Sequence, residues 1–194
     1  MHKRAAFRDW DYWGRPVPGF GDPAAHLLVV GLAPAAHGAN RTGRVFTGDR
    51  SGDFLFASLH RCGYANQPTS VDRDDGLVLS GAWVAAAVRC APPANKPTPA
   101  ERDACRPYLE RELALLTSVK VVVALGRFGF DVTCAALGAR GRPPFAHGVE
   151  VALADGRVLL GAYHVSQQNT FTGVLTAAML DDVFTRARAL ALAR

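Results

Sequence analysis

Two stretches, HLLVVG at 26–31 and VKVVVAL at 119–125, are continuous apolar runs rich in valine, each ending at or just before a glycine. Strands buried on both faces of a parallel sheet read this way, because both rows of side chains meet covering helices. AWVAAAVR at 82–89 and VLLGAY at 158–163 read as two further strands, less β-branched than the first two. Between them the apolar period lengthens to that of helices. Ser51 is placed to cap a helix carrying Phe54, Leu55, Ala57 and Leu59. Thr98, Pro99 and Glu101 give the cap, first-turn proline and capping-box carboxylate of a second helix running to about Leu116. A third helix follows Gly126 with Phe130, Val132 and Leu137, and a fourth runs from Thr176 to the end with Met179, Val183 and Leu190. VEVALA at 149–154 and the strand beyond Asp155-Gly156 predict a hairpin, since Asp-Gly favours the tight hairpin turn. Strands alternating with helices predict an α/β fold: a parallel sheet covered by helices on both faces, joined by right-handed crossovers, in one domain spanning 1–194. The Pro-rich APPANKPTP segment reads as an ordered surface loop, and there are no repeats.

With 194 residues, 49% of them hydrophobic, the chain can bury one substantial core. A formal charge of +5 suits an anionic partner and equally suits plain solubility. No run of about 18 apolar residues is present to span a bilayer, so no membrane association is expected. The opening MHKRAAFRDWDYWGRP is too charged and aromatic for a signal peptide, and a cytoplasmic location is expected. Cys62, Cys90, Cys105 and Cys134 lie far apart without a CxxC pair, against a disulfide framework or a self-evident zinc site; most read as buried thiols.

The chemistry is concentrated in four loops, each following a predicted strand. In open α/β sheets ligands bind at that edge, so loops from distant parts of the chain are expected to share one site. GLAPAAHG is made of small residues, which let backbone amides approach a ligand; it is neither GxGxxG nor a Walker loop, and a small-residue turn is also common packing. NRTGRVFTGDRSGD carries Arg41, Arg44 and Arg50 as possible phosphate contacts. Within it Phe46 reads as a stacking ring or a core residue, and Asp49 as a reactive carboxylate or a helix cap. In RCAPPANKPTP, Asn95 and Lys96 suit a base edge and a phosphate, or are solvated turn residues. HVSQQNTFTG offers His164, which at a strand end can donate to charge developing on a leaving group. Ser166 is outside any GxSxG elbow and reads as a cap or phosphate contact.

Three of these segments, GLAPAAHGANRTGRVFTGD, AVRCAPPANKPTP and YHVSQQNTFTG, in this order, closely resemble the signatures of the type-5 (B-type) uracil-DNA glycosylases, a resemblance covering about Phe7 to Ala193. It implies a three-layer α/β/α fold around a central four-stranded parallel sheet. It implies hydrolysis of the bond joining a damaged base to deoxyribose after the nucleotide has rotated out of the helix. The substrates would be uracil, with hypoxanthine, xanthine and ethenocytosine, in double- or single-stranded DNA, and the protein a monomer. Leu32 and Ala33 stand where other branches place a water-handling side chain, and the resemblance moves that role to Asp49, assisted by Asn95. Phe46 would stack on the base, amides of Gly31, Leu32 and Ala33 would meet its carbonyl edge, and His164 would donate to the departing base. Gln167, Gln168, Asn169 and Thr170 would enter the duplex, while Arg41, Ser51, Lys96 and Ser166 would meet phosphates. Ala86 stands where related branches place a base-reading Asn, which predicts looser base discrimination. The resemblance also implies a four-cysteine 4Fe-4S cluster with Cys90 and Cys105 as two ligands; the other two belong near an amino terminus that here reads MHKRAAF without cysteine. The alternative expectation is a relative that binds damaged bases without turnover.

Overall fold

The computed structural model describes Lys3, residues 5–141 and residues 143–193. Its strands are β1 (Phe20–Gly21), β2 (Leu27–Gly31), β3 (Ala82–Ala86), β4 (Val121–Leu125), β5 (Glu150–Ala152) and β6 (Val158–Ala162). Its helices are α1 (Ala39–Thr42), α2 (Arg50–Arg61), α3 (Pro99–Leu115), α4 (Gly126–Ala136), α5 (Gln167–Phe171) and α6 (Ala177–Leu192). The strands form one sheet in the order β1-β3-β2-β4-β6-β5. Its four central members are parallel and are the four strands the apolar runs predict. The sheet is wider than the expected four strands, because β1 and β5 add antiparallel edges. β5 is the first arm of the predicted hairpin, whereas β1 has two residues and leaves no periodic trace in the sequence.

Alternate residues of each central strand serve opposite faces. Leu27, Val29, Val84 and Val123 pack with Phe56 of α2 and Phe184 of α6, while Leu28, Val30, Val122 and Leu159 pack with Leu109 of α3 and Phe130 of α4. Phe56, Phe130 and Phe184 are fully buried, each contributing about 1.5–3 kcal/mol by removal from water. The result is the predicted three-layer arrangement.

Local chemistry fixes where the helices begin. Thr98 and Glu101 form the expected reciprocal cap of α3, with Glu101 N–H donating to Thr98 Oγ1 at 3.2 Å and Thr98 N–H to Glu101 Oε2 at 2.7 Å. Thr176 caps α6. At α2 the expectation is corrected: Asp49, not Ser51, is the cap, accepting from Gly52 N–H at 3.0 Å, and Ser51 lies inside the first turn. The predicted loop HVSQQNTFTG also contains a single helical turn, α5, capped by Ser166.

Register brings the ends of the parallel strands to one edge, with Gly31 beside Ala86 and Leu125 beside Ala162. The chain leaving β2 runs to α2 on one face, and the chain leaving its neighbour β4 enters α4 on the other. Connections diverging from adjacent strands open a crevice between them, where such sheets hold their ligands. Among the described residues, no helix is long and apolar enough to cross a membrane.

Candidate active site

A cleft of about 780 Å³ occupies that crevice, walled by the loops that leave β2, β3 and β6. Leu32, Ala33, Phe46, Asp49, Asn95 and His164 all line it, and so do Ser51, Ser166, Gln167 and Gln168. The loops expected to converge do so.

Phe46 is held in a backbone conformation that a bulky residue adopts only under strain, with φ of 51°. Its ring lies on Gly31, and its carbonyl lies against Gly52; a Cβ on either glycine would overlap Phe46. The ring thus forms part of the cleft wall, 6.5 Å from the His164 ring and inclined 40° to it. The overlap at Gly52 is with backbone, which cannot swing aside. Gly52→Ala is therefore expected to cost about 1–3 kcal/mol, read as a melting temperature lower by about 2–4 °C for each kcal/mol in a chain of this size.

Asp49 follows this turn as the cap of α2, its carboxylate resting where a Cβ on Gly38 would stand. Burial pushes its carboxyl above the ordinary range, while the N–H groups of Gly52 and Ser51 oppose that rise by bonding the charged form. Across the cleft, burial holds His164 below its usual value, so the imidazole is neutral near pH 7. The His164 carbonyl accepts from the Asn169 side-chain amide at 2.8 Å, which ties the histidine to α5. Asn95 enters the cleft from the loop after β3 with φ of 55°, following Ala94 at 53°.

Several predicted residues lie elsewhere. Arg41, expected at a phosphate, is buried, with its guanidinium bonded to the carbonyls of His37 and Gly48. Asn169 is turned inward to His164, and the Thr170 hydroxyl donates back to the Ser166 carbonyl at 3.2 Å. Short polar side chains in one helical turn satisfy nearby backbone before they reach outward. Gly31 lies beneath Phe46, and Lys96 is exposed outside the cleft lining. Arg50, a candidate phosphate contact, lines the cleft, and so do Phe7 and His37, which the sequence does not single out. His37 stands in the quoted GLAPAAHG loop and was open to recognition; Phe7 lies far from any motif and was not.

The thiols do not assemble a four-ligand centre. Cys90 and Cys105 are neighbours: burial first, then the Cys105 thiol and Glu101, push the Cys90 thiol up. Cys62 sits against α6, its sulfur 3.6 Å from the Asp181 carbonyl, and burial pushes the half-buried Cys134 thiol up to about 11. Among the described residues no three potential metal ligands come together. Cys90 and Cys105 are the two thiols the resemblance names as ligands, and the described residues bring no third ligand to them.

Comparison with known proteins gives this geometry its family. The model of the "Uracil DNA glycosylase superfamily" matches residues 18–188. The chain is 57% identical over 192 residues to the type-5 uracil-DNA glycosylase of Mycobacterium tuberculosis, covering 97% of this chain and 72% of that protein. It is 54% identical over 190 residues to the type-5 uracil-DNA glycosylase of Thermus thermophilus, covering 97% and 86%. A type-4 uracil-DNA glycosylase of Sulfurisphaera tokodaii is 31% identical over 119 residues, covering 61% of this chain and 47% of that protein. The chain belongs to the uracil-DNA glycosylase superfamily. Within it, near-complete coverage at more than half identity ties it to the type-5 branch, as the three loop signatures implied.

Proposed function

We propose that the protein removes uracil from DNA by hydrolysing its N-glycosidic bond, with Asp49 handling the water and His164 receiving the charge of the departing base. One observation carries this reading: a partly buried carboxylate and a neutral imidazole, from opposite ends of the chain, line one cleft beside an aromatic ring packed on Gly31. Water oxygen forms the new bond to C1′ of the sugar as the bond from C1′ to the base breaks. The bonding electrons leave with the base, and the ionised Asp49 accepts the proton that water loses. A neutral His164 has one N–H to donate to the base anion. Phe46 stacks on the extruded base, and Asn95 holds the sugar or base from the β3 side. DNA would track the rim bearing Arg50, Gln167 and Gln168, with the protein acting as a monomer in the cytoplasm.

A duplex carrying a single uracil tests the reaction: incubation followed by alkali should yield a strand break at that position. An uncut duplex that the protein still retards in a gel would leave only damage recognition. His164→Ala should slow single-turnover cleavage by about 10²–10³, the range typical of removing one donor to a developing anion.

Substrate breadth follows from what surrounds the base. Ala86 lines the cleft with a methyl group where a polar side chain would pair with one particular base. A pocket that pairs no group tightly rejects alternatives weakly. Hypoxanthine, xanthine and ethenocytosine in the same duplex context should therefore also be released, and Ala86→Asn should narrow that range as measured by relative kcat/KM.

A further inference from the structure

We propose that Gly126 and Asn169 are positioning residues for His164: one backs its side chain, the other ties down its backbone, and together they aim the imidazole. This rests on the reading of His164 given above. A neutral imidazole has one N–H to give, and a hydrogen bond weakens steeply once donor and acceptor fall out of line. The ring must therefore face the departing base within narrow limits. In other active sites a partner on the second ring nitrogen commonly holds such a ring. Among the described residues no hydrogen bond joins either ring nitrogen of His164 to the protein, so its aim is set by packing and by its backbone.

Strand register supplies the packing. Leu125 of β4 pairs with Ala162 of β6, so the two chains leave the sheet side by side, one entering α4 at Gly126 and the other reaching His164. Gly126 turns into the helix with φ of 80°, and its backbone lies against the histidine: a Cβ placed there would stand 3.0 Å from His164 Cβ, 3.5 Å from Cδ2 and 3.6 Å from Cγ. Carbon atoms pack best at about 3.5–4.0 Å, so a side chain at this position would push the histidine away. The bare backbone of Gly126 is the floor on which the imidazole rests. On the cleft side its neighbour is the Phe46 ring, 6.5 Å away.

Asn169 supplies the second hold. Its side-chain amide crosses the turn of α5 and donates to the His164 carbonyl at 2.8 Å. The main chain of Asn169 is fixed by other groups: its N–H donates to Ser166 Oγ at 3.4 Å, and its carbonyl accepts at 3.0 Å from the N–H of Leu175, a fully buried residue. Removing the amide therefore leaves the turn of α5 in place and severs only the link from His164 to this anchor.

The test is single-turnover cleavage of a uracil duplex by the full chain, paired with binding to a duplex bearing a non-cleavable uracil analogue. Gly126→Ala and Asn169→Ala should each slow cleavage by about tenfold, less than the roughly hundredfold that a displacement of a full ångström can cost, while analogue binding stays within a few-fold. Two readouts separate aiming from general loosening. In a His164→Ala background neither substitution should slow cleavage by more than about twofold further, because an effect that passes through a side chain disappears with it. A duplex carrying 5-fluorouracil, whose anion departs more readily, should show a smaller loss for both variants and for His164→Ala alike. Should Gly126→Ala fail to fold by circular dichroism, Asn169→Ala decides the matter. A parental rate in either folded variant, a loss that persists in full without His164, or analogue binding that falls in step with the rate overturns the proposal. A parental rate in His164→Ala would instead overturn the reading of His164 itself, so the two failures are distinguishable.

Discussion

Asp49→Asn is expected to slow single-turnover cleavage by about 10²–10⁴, while binding to a duplex with a non-cleavable uracil analogue stays within a few-fold. Asn is as good a helix cap as Asp, so the bond from Gly52 N–H and the start of α2 survive the change. The lost feature is the ability to take a proton from water. The melting temperature provides an independent check. The folded carboxyl of Asp49 lies above its unfolded value, so at neutral pH its charge is a cost to folding, relieved as pH falls through the folded value. Asn removes that cost. The variant should therefore melt no lower than the parent near pH 7, and the difference should shrink below the pH at which the unfolded acid protonates. The parent's rate profile should lose activity on the acid side at a pH above the ordinary carboxylate range. An active variant, or one that loses binding and rate together, would remove Asp49 from the reaction.

The readable parts of this molecule were those that repeat or that break a local rule. Runs such as VVVAL specify a strand buried on both faces, because only a strand between two helix layers tolerates five apolar side chains in succession. The Thr98 box was readable for the same reason, since its partners are three residues apart. Convergence of Asp49 and His164 followed from topology: both come after parallel strands, and parallel strands end at one edge. Features that depended on distant partners were not readable. Arg41 and Arg44 lie in the same loop and both suggested phosphate contacts. Arg41 is instead closed over by Phe7 and Trp10, and Arg44 by Asp75, partners more than twenty residues away that carry no local signal. The sequence of HVSQQNTFTG reads as a loop with Asn169 and Thr170 pointing outward; the single helical turn of α5 points both toward backbone carbonyls instead. Of the two cap candidates, Asp49 and Ser51, the strained turn at Phe46 to Asp49 selects the carboxylate, two positions before the serine.

Arg44→Ala is expected to produce the largest loss of stability. The guanidinium meets the Asp75 carboxylate at 2.8 Å, and the two side chains keep only 5% and 12% of their exposure. Nε also donates to Thr47 Oγ1 at 2.9 Å, Nη2 to Ser70 Oγ at 3.0 Å and Nη1 to the Arg73 carbonyl at 3.1 Å. Truncation leaves the charged, partly buried Asp75 without its cation, and fully buried pairs broken this way cost about 3–5 kcal/mol, an upper bound here. At about 2–4 °C for each kcal/mol, melting should fall by up to roughly 6–20 °C. The pair has a definite pH signature. Burial alone would raise the Asp75 carboxyl, but Arg44 and the N–H groups of Leu77, Val71 and Asp72 outweigh it and hold the group below its ordinary value. Its contribution is therefore present above the unfolded carboxyl value and is lost as pH falls through the folded one. Parent and Asp75→Asn should differ most at neutral pH and converge in acid. Because Thr47 and Gly48 connect Arg44 to Asp49, the same variants should lower cleavage below their melting transition; a double-mutant cycle between Arg44→Ala and Asp75→Asn that yields simple additivity would show that the two side chains do not act as a pair.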